Sequence, residues 1–359
     1  MTAKERVRTA ITHRQPDRTA LDFSARGEVI EKLRQRLGLS GHASVEDRLG
    51  MDLRGVGPDF ARPCESLAYA DPTLAIVNGD VHCDIWGVGF RPNQTSCGFY
   101  MDLALNPLQK AETVADIERH SWPSPDWWDY SHIEETAKAH ADYWILGHSR
   151  GIFEISWFLR GFGEFLSDLA CEPARAEAVM DHVQAYLMER ARRVLEAANG
   201  HMDMMEYNDD VGGQDGLLMA PDMWRRFLKP RMAAFIAMCK THGVKVKYHS
   251  CGSVRAIIPD LIDIGVDVLN PIQARAAGMD AEELKREFGA HLTFNGGIDT
   301  QDLLPFAPVK TVREATRRLI DIVGKDGGLI LAPSHVFQDD VPLENIIAVY
   351  ETALGAPLM

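Results

Sequence analysis

Residues 245–273 read KVKYHSCGSVRAIIPDLIDIGVDVLNPIQ, and this stretch contains a complete strand–helix–strand unit. The alternating, β-rich segment Lys245–His249 predicts a strand, residues 253–264 have helical spacing, and Val266–Asn270 predicts the next strand. Strands and helices that alternate with short connections form a parallel β-sheet. The unit therefore predicts an α/β fold for this part of the chain.

The same alternation extends over the last two-thirds of the sequence. Further strands are predicted at Thr19–Phe23, Tyr143–Gly147, Met202–Glu206, Leu292–Asn295 and Leu329–Ala332, with helical segments between most of them. No GxGxxG or GxxxxGK motif follows any of these strands. Since the count comes to about eight strands, a closed (β/α)8 TIM barrel fits better than an open, doubly wound sheet, which is the alternative.

Residues 55–120 interrupt this regular pattern. They are rich in proline, glycine and asparagine, with short β-like pieces at Leu74–Val77 and Ile85–Phe90. We interpret them as an irregular, lid-like insertion rather than a separate domain. The predicted organisation is therefore a single barrel domain over residues 1–359 with this insertion inside it.

Composition and charge exclude several functional classes. The 359 residues carry a formal net charge of −14, which disfavours non-specific binding to nucleic acid and docking on anionic lipid. The charged N-terminus lacks the apolar core of a signal peptide, and no window approaches the roughly 18 apolar residues of a membrane span. The 6 cysteines are scattered, so a reducing, cytoplasmic location is expected.

A histidine and a cysteine lie two residues apart where the strand Lys245–His249 ends. Side chains at positions i and i+2 of a strand point to the same face, so if the strand continues through Cys251, His249 and Cys251 can reach one point in space. A thiolate and an imidazole are preferred ligands of zinc. The alternative is that Cys251 is a buried small hydrophobe and His249 an ordinary hydrogen-bonding residue.

Polar residues follow several other predicted strands, where a barrel would bring them to one mouth. His335 is the best further ligand for zinc, while Asp209 and Asp210 could supply an oxygen ligand or a general acid–base. Each also has an ordinary explanation as a turn, capping or structural residue. The residues predicted to contact substrate at these positions are Arg26, His148, Glu154, Asn270, Gln273 and Asn295.

Several segments together resemble the uroporphyrinogen decarboxylase superfamily, on its methyltransferase-like side. They are the opening Met-Thr-Ala-Lys-Glu-Arg-Val with Gln15-Pro-Asp-Arg, the segment Tyr248-His-Ser-Cys-Gly-Ser, and residues 263–273, 292–299 and 330–335. The resemblance covers essentially the whole chain, is strong over residues 200–350 and is weak over residues 50–120. It implies a (β/α)8 barrel, in agreement with the strand count.

Two branches of that superfamily imply different chemistry. The corrinoid-dependent methyltransferases bind zinc through a His-x-Cys pair, which His249 and Cys251 match, and a later Cys, whose place is taken here by His335. The true decarboxylases are metal-free and carry a histidine near this late position. They also hold a porphyrinogen with an arginine-rich loop near the N-terminus, where this chain has only Arg26. Tetrapyrrole decarboxylation is therefore disfavoured.

The resemblance and the residues lead to one main hypothesis. A zinc-dependent methyltransferase with His249, Cys251 and His335 as metal ligands would move a methyl group from a small methylated, plausibly methoxylated aromatic, compound to a corrinoid. The chain shows no Asp-x-His-x-x-Gly motif, so the corrinoid (cobalamin) is expected on a partner protein. The alternatives are a metal-free decarboxylase or lyase using Asp210 and His335, and a non-catalytic protein that binds a small ligand or corrinoid partner. A homodimer is common in the superfamily.

Overall fold

The structure, a computed structural model, describes residues 1–41, 43–61, 75–77, 80–95 and 98–358. Its central feature is a sheet of eight parallel strands, in which each strand pairs with its neighbours in the order β1-β8-β7-β6-β5-β4-β3-β2. The strands are β1 (Ala20–Leu21), β2 (Leu53–Gly55), β3 (Trp144–Arg150), β4 (Met204–Asn208), β5 (Lys245–His249), β6 (Val268–Ile272), β7 (Thr293–Ile298) and β8 (Leu329–Pro333).

The two edge strands, β1 and β2, meet and close the sheet. The backbone N–H of Asp52 donates to the carbonyl of Leu21 at 2.9 Å, and the Leu21 N–H donates to the Asp52 carboxylate at 2.8 Å. The prediction of a (β/α)8 barrel is thereby confirmed. Strand β2 was not predicted, because three residues ending in glycine show no alternating pattern.

Helices fill the connections between the strands and pack on the outside of the barrel. Gly161 and Pro173 separate three consecutive helices, since Gly161 has φ +93° and Pro173 begins the third helix. The helices are Ala3–Ile11, Gly27–Arg36, Val45–Arg48, Val114–Glu118, Ile133–Ala139, Ile152–Arg160, Phe162–Cys171, Pro173–Ala197, Pro221–Phe227, Lys229–Thr241, Ile258–Asp263, Ala281–Phe288, Leu303–Phe306, Val309–Val323 and Leu343–Leu354. Among the described residues, no helix is both long and apolar enough to cross a bilayer.

The first helix, Ala3–Ile11, covers the amino-terminal end of the barrel. Its Val7, Ala10 and Ile11 are buried against apolar side chains from the first halves of the strands, such as Trp144 and Met204. Because this end is filled with apolar side chains, the polar residues of the barrel interior lie toward the opposite, carboxyl-terminal end. That end is the mouth of the barrel.

The segment predicted as an insertion contains a small antiparallel sheet. Its strands are Ala75–Val77, Val81–Cys83, Gly89–Thr95 and Gly98–Leu105. Leu74, which belonged to a predicted β-like piece, lies outside the described residues. The hydroxyl of Tyr100 hydrogen-bonds the side-chain oxygen of Gln338, in the loop after β8, so this sheet reaches the mouth.

Candidate metal centre at the barrel mouth

Three side chains with different donor atoms converge at the mouth. Asp210, His249 and Cys251 each offer a ligand atom, and these atoms all lie within 4.8 Å of one another. The Cys251 Sγ is 3.6 Å from the His249 Nε2, which is also 3.6 Å from an oxygen of Asp210. The structure therefore brings together a sulfur, a nitrogen and an oxygen donor from two adjacent loops.

The loops after β4 and β5 hold this cluster in place. Gly252 has φ +78°, and a Cβ on it would lie 2.5 Å from the backbone of Gly212. Two further hydrogen bonds pin the turn: the Cys251 N–H donates to Asp210 at 2.7 Å, and the Gly252 N–H donates to Gln273 at 2.7 Å. Gln273, predicted to contact substrate, thus supports the turn after β5.

A chain of amide side chains orients the imidazole of His249. Its Nδ1 donates to the Asn270 oxygen at 2.5 Å, the Asn270 amide donates to the Asn295 oxygen at 2.9 Å, and the Asn295 amide donates to the Ile330 carbonyl at 3.1 Å. A hydrogen bond of this kind sets the tautomer of a histidine ligand. It leaves Nε2 directed toward Cys251 and Asp210. Asn270 and Asn295, predicted to bind substrate, form this chain.

The thiol of Cys251 is protonated in the absence of a cation. Burial, and to a lesser extent the carboxylates of Asp210 and Glu154, raise its pKa to about 12. A bound metal ion reverses this preference, because a coordinating thiol loses its proton. The electrostatics around Cys251 therefore favour a positive charge at the cluster.

His335 lies after β8 and takes part in no three-ligand group among the described residues. It borders the central cleft, which we define by Asp22, His148, Glu206, Lys247, His249 and His335 and which encloses about 360 Å³. It also borders a polar pocket that contains Cys251. His335 is exposed to solvent, while the protein atoms that displace water around its ring and the neighbouring His249 lower its pKa.

Asp209 is buried and caps a helix. Its carboxylate accepts hydrogen bonds from the backbone N–H groups of Phe153 at 3.1 Å and Glu154 at 2.8 Å, at the start of the helix Ile152–Arg160. Burial raises the pKa of Asp209 to about 7, against the effect of those two hydrogen bonds. Asp209, one of the two predicted acid–base residues, thus turns both oxygens to a helix end rather than to the cleft.

The remaining predicted residues lie on different sides of the mouth. His148 borders the central cleft and contacts Glu206 at 2.6 Å, whereas Glu154 accepts from Arg150 at 2.8 Å. Arg26 precedes the helix Gly27–Arg36, and its guanidinium lies 4.9 Å from the ring centre of Tyr100.

Sequence reasoning missed an ion cluster inside the barrel. The ammonium of Lys247, a buried residue of β5, lies 3.1 Å from Glu206 and 3.9 Å from Asp22. Burial opposes ionisation of Glu206, but Lys247 and His148 hold its pKa well below the usual range. The signal was present, because Lys247 precedes His249 by two residues and shares its face of β5.

A closed parallel barrel with a group of metal-type ligands at its carboxyl-terminal mouth has the layout of a (β/α)8 barrel enzyme. The sequence model of the uroporphyrinogen decarboxylase (URO-D) family matches residues 109–354. The chain therefore belongs to that family, as the sequence resemblance predicted.

Two curated relatives and one solved structure are similar to the chain. The methylcobamide:CoM methyltransferase MtaA of Methanosarcina barkeri is 31% identical over 148 residues, which are 41% of this chain and 40% of the relative. The protein of the same name from the strain Fusaro is 28% identical over an equal span. The alignments thus cover about two-fifths of these relatives. A methyltransferase from Methanosarcina mazei shares the fold, with TM-score 0.69, 20% identity and 99% of both chains covered.

Proposed function

We propose that this protein is a zinc-dependent methyltransferase that moves a methyl group from a small methylated compound to a corrinoid carried by a separate protein. The observation that carries the proposal is the convergence of Asp210, His249 and Cys251 at the barrel mouth. The matched curated relatives are named methylcobamide:CoM methyltransferases. This name supports methyl transfer that involves a corrinoid, with the methyl group moving from the corrinoid in those relatives and to the corrinoid in the present proposal.

The donor set fits zinc better than the other common metal ions. Thiolate and imidazole are typical zinc ligands, and three protein ligands leave a position open for a substrate. Zinc bound there would supply Lewis acidity to an oxygen or sulfur of the methyl donor. In this proposal Asp210 takes the place that the sequence assigned to His335 in the ligand set, beside His249 and Cys251.

The residues around the cluster have distinct tasks in this proposal. Asn270 and Asn295 hold His249 in the orientation that metal binding requires. His335, on the border of the cleft, would relay a proton from solvent to the departing oxygen or sulfur, which leaves as an anion. The reduced corrinoid would supply the electron pair that accepts the methyl group, and the leaving atom keeps its own bonding pair. A reducing cytoplasm would keep Cys251 available as a thiol.

The proposal is tested first by metal content. Protein purified without added metal is analysed by plasma mass spectrometry as wild type and as Cys251→Ala, Asp210→Asn and His335→Ala. We expect about one zinc per chain in the wild type, with most of it lost in the Cys251 and Asp210 variants. Cys171→Ala is the matched control, because Cys171 is an exposed thiol on an outer helix.

The second test measures methyl transfer. The protein is mixed with reduced cobalamin and methoxylated aromatic compounds, and methylation of the cobalamin is followed by visible absorption. A wild type that contains no zinc and methylates nothing, together with release of CO2 from a small carboxylate, would favour the metal-free decarboxylase alternative. Zinc content that is equal in the wild type and all variants would refute the metal site itself.

A further inference from the structure

A second cavity of about 490 Å³ adjoins the central cleft. It shares His148, Glu206 and Asn208 with that cleft, and Asn208 pairs with His249 in the sheet. Its other walls come from the small antiparallel sheet, from Trp128 and from the helix Pro173–Ala197. We call it the aromatic cavity, because Trp86, Trp128 and Tyr186 form much of its wall.

Among the residues that the structure describes, one cation in this cavity lacks a counter-ion. The Nε of Arg190 is buried and has no hydrogen-bond partner among them, and its Nη1 makes a long hydrogen bond, 3.3 Å, to the His148 carbonyl. Arg175 and Arg231 also have a buried Nε without a partner, but each pairs through another nitrogen with an aspartate. Within the described part of the chain, Arg190 forms no ion pair with a carboxylate.

The other charged groups that line the cavity are already engaged. Asp84 accepts from the backbone N–H groups of Trp86 at 2.8 Å and Val88 at 3.0 Å. Glu206 is tied to Lys247 and His148, and Arg150 donates to Glu154. Buried charges in proteins are normally paired. The guanidinium of Arg190 is therefore the group here that a ligand would have to neutralise.

The walls select the shape of that ligand. The rings of Trp86 and Tyr186 meet edge to face at 4.9 Å, and the Trp128 indole N–H donates to the Tyr186 hydroxyl at 2.8 Å. The Arg190 guanidinium lies 4.5 Å from the Trp128 ring centre, so a cation entering the cavity would meet another cation. Flat, largely apolar walls with one unpaired guanidinium suit an aromatic ring that carries a negative charge.

We propose that the aromatic cavity binds an aromatic carboxylate, with the carboxylate paired to Arg190 and the ring between the tryptophan and tyrosine walls. The opposite end of the ring would then point past Asn208 toward the cluster at His249. The role of this ligand as the methyl donor rests on the proposed function, and the inference then identifies the donor as an aromatic acid. Binding itself does not depend on methyl transfer.

The test is calorimetric titration with 4-methoxybenzoate and with its neutral analogue 4-methoxybenzamide. We expect the carboxylate to bind at least about tenfold more tightly, because a charge-assisted pair is lost with the amide. Arg190→Met should remove that preference. Arg193→Met is the matched control on the same helix, because Arg193 pairs with Asp126 and Glu189 and does not line the cavity.

The same titrations on Cys251→Ala separate this inference from the proposed function. A preference that survives in Cys251→Ala and disappears in Arg190→Met supports the aromatic cavity, whether or not zinc or methyl transfer is found. Loss of binding in Cys251→Ala alone would place the carboxylate on the metal and overturn the inference. Equal affinities of the wild type for the acid and the amide would overturn it without any variant.

Discussion

The two ends of the barrel are built from the same strands but differ in how their polar groups are satisfied. At the amino-terminal end, apolar side chains fill the interior, and the buried Asp52 accepts from Arg6 at 2.6 Å and from Arg18 at 2.8 Å. At the mouth, Asp210, His249 and Cys251 each offer a ligand atom, and these atoms lie within 4.8 Å of one another, an arrangement that suits a metal ion.

Because of this difference, residues that stabilise the fold and residues that can bind ligands lie at opposite ends of each strand. Strand β5 begins near the apolar end, carries Lys247 in the middle and ends at His249. A residue near the start of a strand thus contributes mainly to folding, and a residue near its end is available for ligands. Variants at the two ends should therefore affect different measurements.

The largest effect on the free energy of unfolding is expected at the amino-terminal end of the barrel. Asp52→Ala leaves the guanidinium groups of Arg6 and Arg18 without their shared carboxylate and the Leu21 N–H without its acceptor. Breaking a buried ion pair costs about 3–5 kcal/mol. Urea unfolding should show a loss of this size. Asp222→Ala, at an aspartate whose side chain is 94% exposed, should change the free energy of unfolding by less than about 0.5 kcal/mol.

The same variant also tests whether metal binding at the mouth is independent of stability at the amino-terminal end. Zinc bound per folded chain should be the same in Asp52→Ala as in the wild type. Zinc loss in a fully folded Asp52→Ala sample would mean that the two ends are coupled.

A smaller effect on the free energy of unfolding is expected in the middle of the barrel, at Glu206. Because its pKa in the folded protein is held well below the usual range, its ionised form stabilises the fold above the unfolded-state pKa, near 4.5. That contribution is lost as the pH falls through the lower pKa of the folded state.

Glu206→Gln should therefore be less stable at pH 7, by roughly 2–4 kcal/mol, and should lose less stability than the wild type between pH 5 and pH 3. Urea unfolding across that range measures both. Parallel pH profiles for the two proteins would show that Glu206 is not ionised in the way described.

The smallest effect on folding, but a clear effect on the metal, is expected at Asn270. Asn270→Ala removes the acceptor that orients His249, and loss of such a partner typically weakens metal binding by about 10–100-fold. Competition with a zinc chelator gives the affinity. Gln214→Ala removes an amide that contacts Gln273 at 3.4 Å, outside the hydrogen-bond chain to His249, and should change zinc affinity little.

The fold was largely predictable because its signals are local. The alternation in Lys245–His249 places β5 where the structure has it, and Gly161 and Pro173 mark helix ends. Strand β2 escaped prediction because its three residues end in glycine and show no alternating pattern. Met202–Glu206 was predicted two residues early, since the apolar run begins before the hydrogen-bonded pairing with β3 and β5.

The candidate site was predictable in part. His249 and Cys251 are close in sequence, and because β5 ends at His249, it is the turn after the strand that brings the two side chains together. The contact between Lys247 and Glu206 depends on the register of β4 against β5. That Arg190 forms no ion pair with a described carboxylate depends on the packing of a long helix. Neither follows from a local pattern. Asp209 and Asp210 are adjacent, and only the fold shows that one caps a helix while the other faces the cluster.

The contact between Gly212 and Gly252 has a consequence for how such a site can change over time. A side chain on either glycine would strike the backbone of the other loop, so these two neighbouring loops form one interlocked unit that carries all three members of the cluster. Residues from β6 and the loop after it support this unit, because Gln273 accepts from the Gly252 N–H and Asn270 accepts from His249. Transplanting residues 204–213 and 245–253 into another parallel barrel should therefore carry the cluster only when equivalents of Asn270 and Gln273 are transplanted with them.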